Sequence, residues 1–284
     1  MTNKSMSVAA FLALAGTAAL LPSNSTAAII YTDGDLLLGF RATGGQGGST
    51  DYLVNLGSAS SIVNSLTPIT FSLGNIGADL STIFGSWSTR ADVLWSVSGV
   101  QKIAGNGFVN NTMFATRSDA VDGPLGTNTT TPWTRPSSFG AGAPAGKVQG
   151  LGQKYGLGTT GATAADQIES ANASGALIQP TSQANSYASY QPGGPNTTGS
   201  TAFGSFADAS GIEGNFSQGA AFSVLDLYTV VPGSGAAAFA GNVTITNSAG
   251  LTFIPAGIPE PSAAVALTLG GMVLASLRRR RNAS

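Results

Sequence analysis

The sequence predicts a mainly β protein: an antiparallel β-sandwich-like body with a few short helices, flanked by one apolar segment at each terminus. Three observations predict it. Apolar and polar residues alternate with period two over residues 35–43, 92–100 and 222–230, the pattern of strands. Gly-rich breaks such as Gly44-Gly45-Gln46-Gly47-Gly48 separate strand runs at hairpin spacing. The chain has no cysteine, so an exported body of this kind holds together by core burial and not by disulfides.

Taken in order, residues 1–28 read as a secretory signal peptide. Lys4 supplies the positive start, residues 8–21 the apolar stretch, and Pro22 the break. Ser25-Thr26-Ala27-Ala28 supplies the small-residue site, with cleavage expected after Ala27 or Ala28 and the Sec machinery as the export route. Residues 29–257 form the body, long enough for one large β domain or two small ones. Ile29-Ile30-Tyr31-Thr32 reads as a strand running into an Asp33-Gly34 turn. In the next strand Leu36, Leu38 and Phe40 share one face, and Leu37, Gly39 and Arg41 the other. Residues 51–56 close a hairpin with it. One or two helical turns are expected in 58–66, a strand in 69–73 and a packed helix in 78–84. Residues 92–100 read as a strand with Trp95 in the core, and 112–116 as another. From 119 to 200 Pro, Gly, Thr and Asn dominate, so this region reads as loop-rich, with helical character only in 164–173. Order returns at 221. Residues 242–246 are expected to pair with 251–254 across Asn247-Ser248-Ala249-Gly250.

The last residues, 258–284, carry the most specific pattern. Pro259-Glu260-Pro261 fixes an extended segment without backbone donors at either proline. An apolar run follows over 263–277, with Thr268 and Ser276 as its polar members, and then Arg278, Arg279, Arg280 and Arg281. As a helix the run rises roughly 22 Å against a hydrocarbon core of about 30 Å, short for a permanent span. Arginines at its end favour cytoplasmic retention of that end and leave the body outside.

Pro-Glu-Pro, a short apolar helix and a terminal Arg cluster, in that order, resemble the PEP-CTERM sorting signal of Gram-negative bacteria. Ile258 stands where Val is usual. The resemblance implies handling by exosortase, a membrane-embedded cysteine transpeptidase, with Pro259, Glu260 and Pro261 as the recognition element. Arg278–Arg281 would be the membrane-retention cluster. It implies an inner-membrane-anchored precursor followed by transfer to the cell surface or extracellular matrix, often alongside exopolysaccharide. Gly-Asp-Leu-Leu-Leu-Gly-Phe-Arg and Asp-Tyr-Leu-Val-Asn-Leu-Gly in the body resemble the start of many PEP-CTERM bodies and bring no activity with them.

Composition excludes much chemistry. Setting aside Lys4, Glu260 and the four terminal arginines leaves 7 basic and 12 acidic residues, a formal charge of −5, which argues against nucleic acid as a partner. With no His and no Cys there is no Ser-His-Asp triad, His-ligated zinc or thiolate nucleophile. Gly146-Lys147 fails as a phosphate loop because Val148 and Ala141 replace the required Ser/Thr and first Gly. No cofactor is expected. Paired carboxylates for a glycan hydrolase would come from Glu169, Glu213, Asp208, Asp226, Asp119 and Asp122. Asp33/Asp35 or Asp119/Asp122 offer oxygen ligands for Ca²⁺, though neither pair matches the twelve-residue loop. Trp133, Tyr155, Tyr187 and Tyr190 either stack on sugar rings or pin loops onto the sheet. The sequence is therefore read as a non-enzymatic cell-surface or matrix protein, with a carbohydrate-binding module or a glycan hydrolase as the alternative.

Overall fold

The computed structural model describes residues 31–118, 125–128, 130–137, 140–155, 168–183, 186–191, 211–216 and 220–257. The predicted signal peptide and the whole of 258–284 lie outside the described residues.

The described strands are β1 (Asp35–Ala42), β2 (Thr50–Ser58), β3 (Ile69–Thr70), β4 (Val93–Gln101), β5 (Thr112–Ser118), β6 (Ile168–Glu169), β7 (Ala176–Pro180), β8 (Gly214–Asn215), β9 (Phe222–Val230), β10 (Ala238–Thr246) and β11 (Leu251–Pro255). They form one antiparallel sheet, a curled half-barrel, in the order β3-β11-β10-β9-β5-β4-β1-β2-β7-β6, with β8 added beside β4. The expected mainly β, antiparallel body with short helices is what the chain forms. The two-layer sandwich is replaced by this single sheet, because β5 pairs with both β4 and β9 and joins the halves edge to edge. Helices and loops, not a second sheet, cover the faces.

Alternation decides which residues line each face. Leu36, Leu38, Phe40, Tyr52, Val54, Trp95, Val97, Phe114, Leu225, Leu227, Val243, Ile245 and Phe253 point to the first face. Helix α1 (Ala59–Val63), helix α2 (Ile76–Phe84) and a 3₁₀ turn (Trp87–Thr89) close over them with Ile62, Leu80, Phe84 and Trp87. Asn75 caps α2, its side chain accepting from the Ala78 amide. Phe40 sits among Tyr52, Trp87 and Trp95, with ring centroids 6.2 to 6.5 Å away, and Trp95 donates to Ser223 at 2.9 Å. Each such aromatic contributes about 1.5–3 kcal/mol through burial.

The second face carries Leu37, Leu53, Val100, Met113, Ala115, Tyr228 and Val230. It is covered by helix α3 (Gly142–Tyr155), by the one-turn helix α4 (Tyr187–Tyr190) and by residues 130–137. Two glycines seat tyrosines here. A Cβ on Gly39 would lie 2.3 Å from the Tyr187 ring, and one on Gly152 2.3 Å from the Tyr31 ring.

Several elements differ from expectation. Tyr31 and Thr32 are not strand; the Asp33-Gly34 turn is present, with the Asp35 amide bonded to the Thr32 carbonyl at 2.9 Å. The described part of 164–173 is β6 followed by turns, because Ile168 and Glu169 pair with β7 at its open edge. The loop-rich stretch 119–200 contains α3, whose buried Ala145, Val148 and Leu151 recur every three residues but are interrupted by Pro144, Gly146, Gly150 and Gly152, which hide the helical pattern.

Candidate functional site

The sorting residues Pro259, Glu260 and Pro261 and the cluster Arg278, Arg279, Arg280 and Arg281 lie outside the described residues. The structure does describe the place from which they depart. Gly257 is the last described residue, and its amide donates to the Gly126 carbonyl at 3.0 Å. Gly126 is itself held by Asn242 of β10, whose Oδ1 accepts its amide at 2.5 Å. Asn242 Nδ2 donates to Asp226 Oδ1 at 2.6 Å, across the β9–β10 register. Asp226 Oδ2 accepts from the Thr130 hydroxyl at 2.8 Å. Both side chains are buried.

A second polar group lies on the same face, over β1, β2 and β4. Arg41 Nη2 meets Glu213 Oε2 at 2.6 Å, and its Nε reaches both carboxylate oxygens. Glu213 is placed there by β8, which pairs with Leu94 and Trp95. The Tyr187 hydroxyl lies 3.0 Å from Glu213 Oε1 and 2.6 Å from Ser96 Oγ. Asp51, opposite Arg41 in the β1–β2 register, accepts the Ala188 amide at 2.7 Å, while its other oxygen has no hydrogen-bond partner among the described residues. Burial pushes the Asp51 carboxyl up to about 7, above its ordinary 3.8. Burial also holds the Tyr187 hydroxyl well above its usual range, with the Glu213 charge adding to the effect. Burial, the largest single influence, works to lower the Arg41 value, but the hydrogen bond and charge of Glu213, with smaller help from Tyr187 and Asp51, together raise it and Arg41 stays charged.

The other candidates separate. Glu169 is exposed on β6 at the sheet edge, whereas Glu213 is sealed under α4. Asp119, Asp122 and Asp208 lie outside the described residues. Asp33 accepts from Gln101 Nε2 and from the amides of Lys102 and Ile103; Asp35 accepts from the Thr32 amide and Asn55. Both anchor turns. Among the described residues no group of three or more acidic side chains is placed to hold a metal ion. Trp133, Tyr187 and Tyr190 are at most 2 % exposed, so they pin loops to the sheet and offer no stacking surface; Arg117 lies over the Trp133 ring at 4.4 Å. No known family model, curated protein or solved structure matches this chain. The residues that sequence reasoning missed are Arg41, Asp51 and Asn242. Their signal is a charged or amide side chain within a strand, beside apolar neighbours.

Proposed function

We propose that the protein is an exported cell-surface or extracellular-matrix protein with a non-enzymatic structural or interaction role, delivered by a C-terminal sorting signal. The observation that carries the reading is the order of Pro259-Glu260-Pro261, the apolar run 263–277 and Arg278–Arg281. It begins two residues after Gly257, the last described residue of the body. Residues 1–28 act as the signal peptide and 263–277 as the transmembrane sorting helix. An exosortase-type transpeptidase is the processing partner, and exopolysaccharide the material among which the mature protein resides.

The body is consistent with a scaffold role. Its buried carboxylates serve as acceptors for neighbouring backbone and side-chain donors, as with Asp226, Asp79 and Glu213. Trp133, Tyr187 and Tyr190, three of the aromatic side chains that a sugar-binding site would use, are turned inward. Fractionation tests the reading. Protein expressed from the whole sequence in an exosortase-bearing host should be recovered from the cell surface without its tail, and Glu260→Ala should leave it in the inner membrane. Equal surface recovery of both would overturn it. A glycan array on the purified body separates the alternative: saturable binding to one polysaccharide class would favour a carbohydrate-binding module.

A further inference from the structure

β11 is the weak margin of the sheet. On its outer side β3 pairs only with Thr252 and Phe253, so residues 254–257 have no outer strand among the described residues. Pro255 has no amide to donate. The Ala256 amide still reaches the Ala240 carbonyl of β10 at 2.9 Å, but the Gly257 amide bonds to Gly126, outside the sheet. A chain end held by so few bonds frays unless something off the sheet retains it.

The retaining device is visible. Asn242 is 2 % exposed and uses both ends of its amide, Oδ1 on the Gly126 amide and Nδ2 on Asp226 and, more loosely, on the Thr127 carbonyl. Asp226 is fully buried and takes the hydroxyl and the amide of Thr130 on one oxygen, with the Tyr228 hydroxyl near the same atom. Two facing residues of β9 and β10 thus grip both ends of the segment 126–130, and that segment grips Gly257. Asparagine suits the position because it alone presents an acceptor and a donor on one short planar group. Aspartate there would lose the donor toward Asp226 and set two carboxylates face to face.

We infer that Asn242 and Asp226 form a junction clamp, which fixes the point where residues 258–284 leave the body and confines proteolytic cutting to bonds beyond Gly257. Removal of the tail then leaves β11 in the sheet. The inference rests on the proposed function only in treating 258–284 as removable, and its test uses purified protein, so the two can fail separately.

The experiment is limited thermolysin digestion of the folded full-length chain, with the cut sites mapped by mass spectrometry, alongside hydrogen exchange at Gly257. The wild-type protein should be cut only beyond Gly257 in this region. Asn242→Ala should open new cuts within 251–257 and speed exchange of the Gly257 amide about ten-fold. Thr130→Val removes one donor to Asp226 and should act at the same place with a smaller effect; it decides the matter if Asn242→Ala does not fold. Wild-type cuts within 251–257, or unchanged Gly257 exchange in the folded variants while 126–130 loosens, would overturn the clamp.

Discussion

The two faces of the sheet are both buried but are held by different chemistry. On the first face the covering pieces, α1, α2 and the 3₁₀ turn, follow β2 closely in sequence and bring their own helical hydrogen bonds. The side chains beneath them are mostly apolar, with Asp79 of α2 accepting from the Tyr52 hydroxyl at 2.6 Å as an exception. On the second face the cover comes from residues 126–128 and 130–137, α3, α4 and 211–216, much of it irregular backbone. Irregular backbone carries donors and acceptors that need partners once buried. The strands supply them: Asp51 for the Ala188 amide, Asn242 for Gly126, Asp226 for Thr130, and Thr116 as donor to the Ile212 carbonyl. The polar residues inside the strands are thus explained by what they hold down.

The largest expected effect tests the apolar face. Trp95→Ala should cost about 3–5 kcal/mol in urea denaturation, since the ring is buried against Phe40 and the site is too crowded to refill. A loss below about 1 kcal/mol would show that the first face is not the principal core.

On the second face Arg41→Met leaves Glu213 buried without its cation and should cost about 3 kcal/mol. Adding Glu213→Leu should recover most of that loss. A double variant as unstable as the sum of the two singles would contradict the pairing.

Asp51 gives the second face a pH dependence. Its folded value of about 7 lies above the unfolded 3.8. Its contribution is therefore full below about pH 4 and is lost as pH rises through 7, with a slope of at most roughly 1.4 kcal/mol per pH unit. The charged groups facing it are Arg41, which lowers its value, and Glu213, which raises it. Urea midpoints measured from pH 4.5 to 8 should fall less steeply in Asp51→Asn. Parallel slopes would remove Asp51 from the account.

Tyr187→Phe deletes the hydroxyl between Ser96 and Glu213 and should cost about 1–2 kcal/mol while leaving the ring over Gly39. The smallest effect belongs to the first face again. Asn75→Ala removes the α2 cap and should cost about 1 kcal/mol.

The same contrast explains what was legible. β1, β4, β9 and the β10–β11 hairpin follow from period-two alternation, and the two faces of β1 and the burial of Trp95 are as that pattern predicts. The second-face cover was opaque. α3 packs through Ala145, Val148 and Leu151, but its sequence is interleaved with glycines and contains Pro144, which reads as a break. Tyr187 and Tyr190 are buried yet flanked by Ser186 and Gln191, so their neighbours suggest a surface loop. Glu213 has no local signal; only the long-range pairing of β8 with β4 brings it to Arg41.

The central proposal is that 258–284 is a removable sorting signal on a body that ends near Gly257. Intact-mass measurement of protein extracted from the surface of an exosortase-bearing host tests it most directly. The account predicts a mature chain that starts near Ala28 or Ile29 and ends near Pro259. A surface-exposed chain that ends at Ser284 would contradict it and make the tail an ordinary anchor.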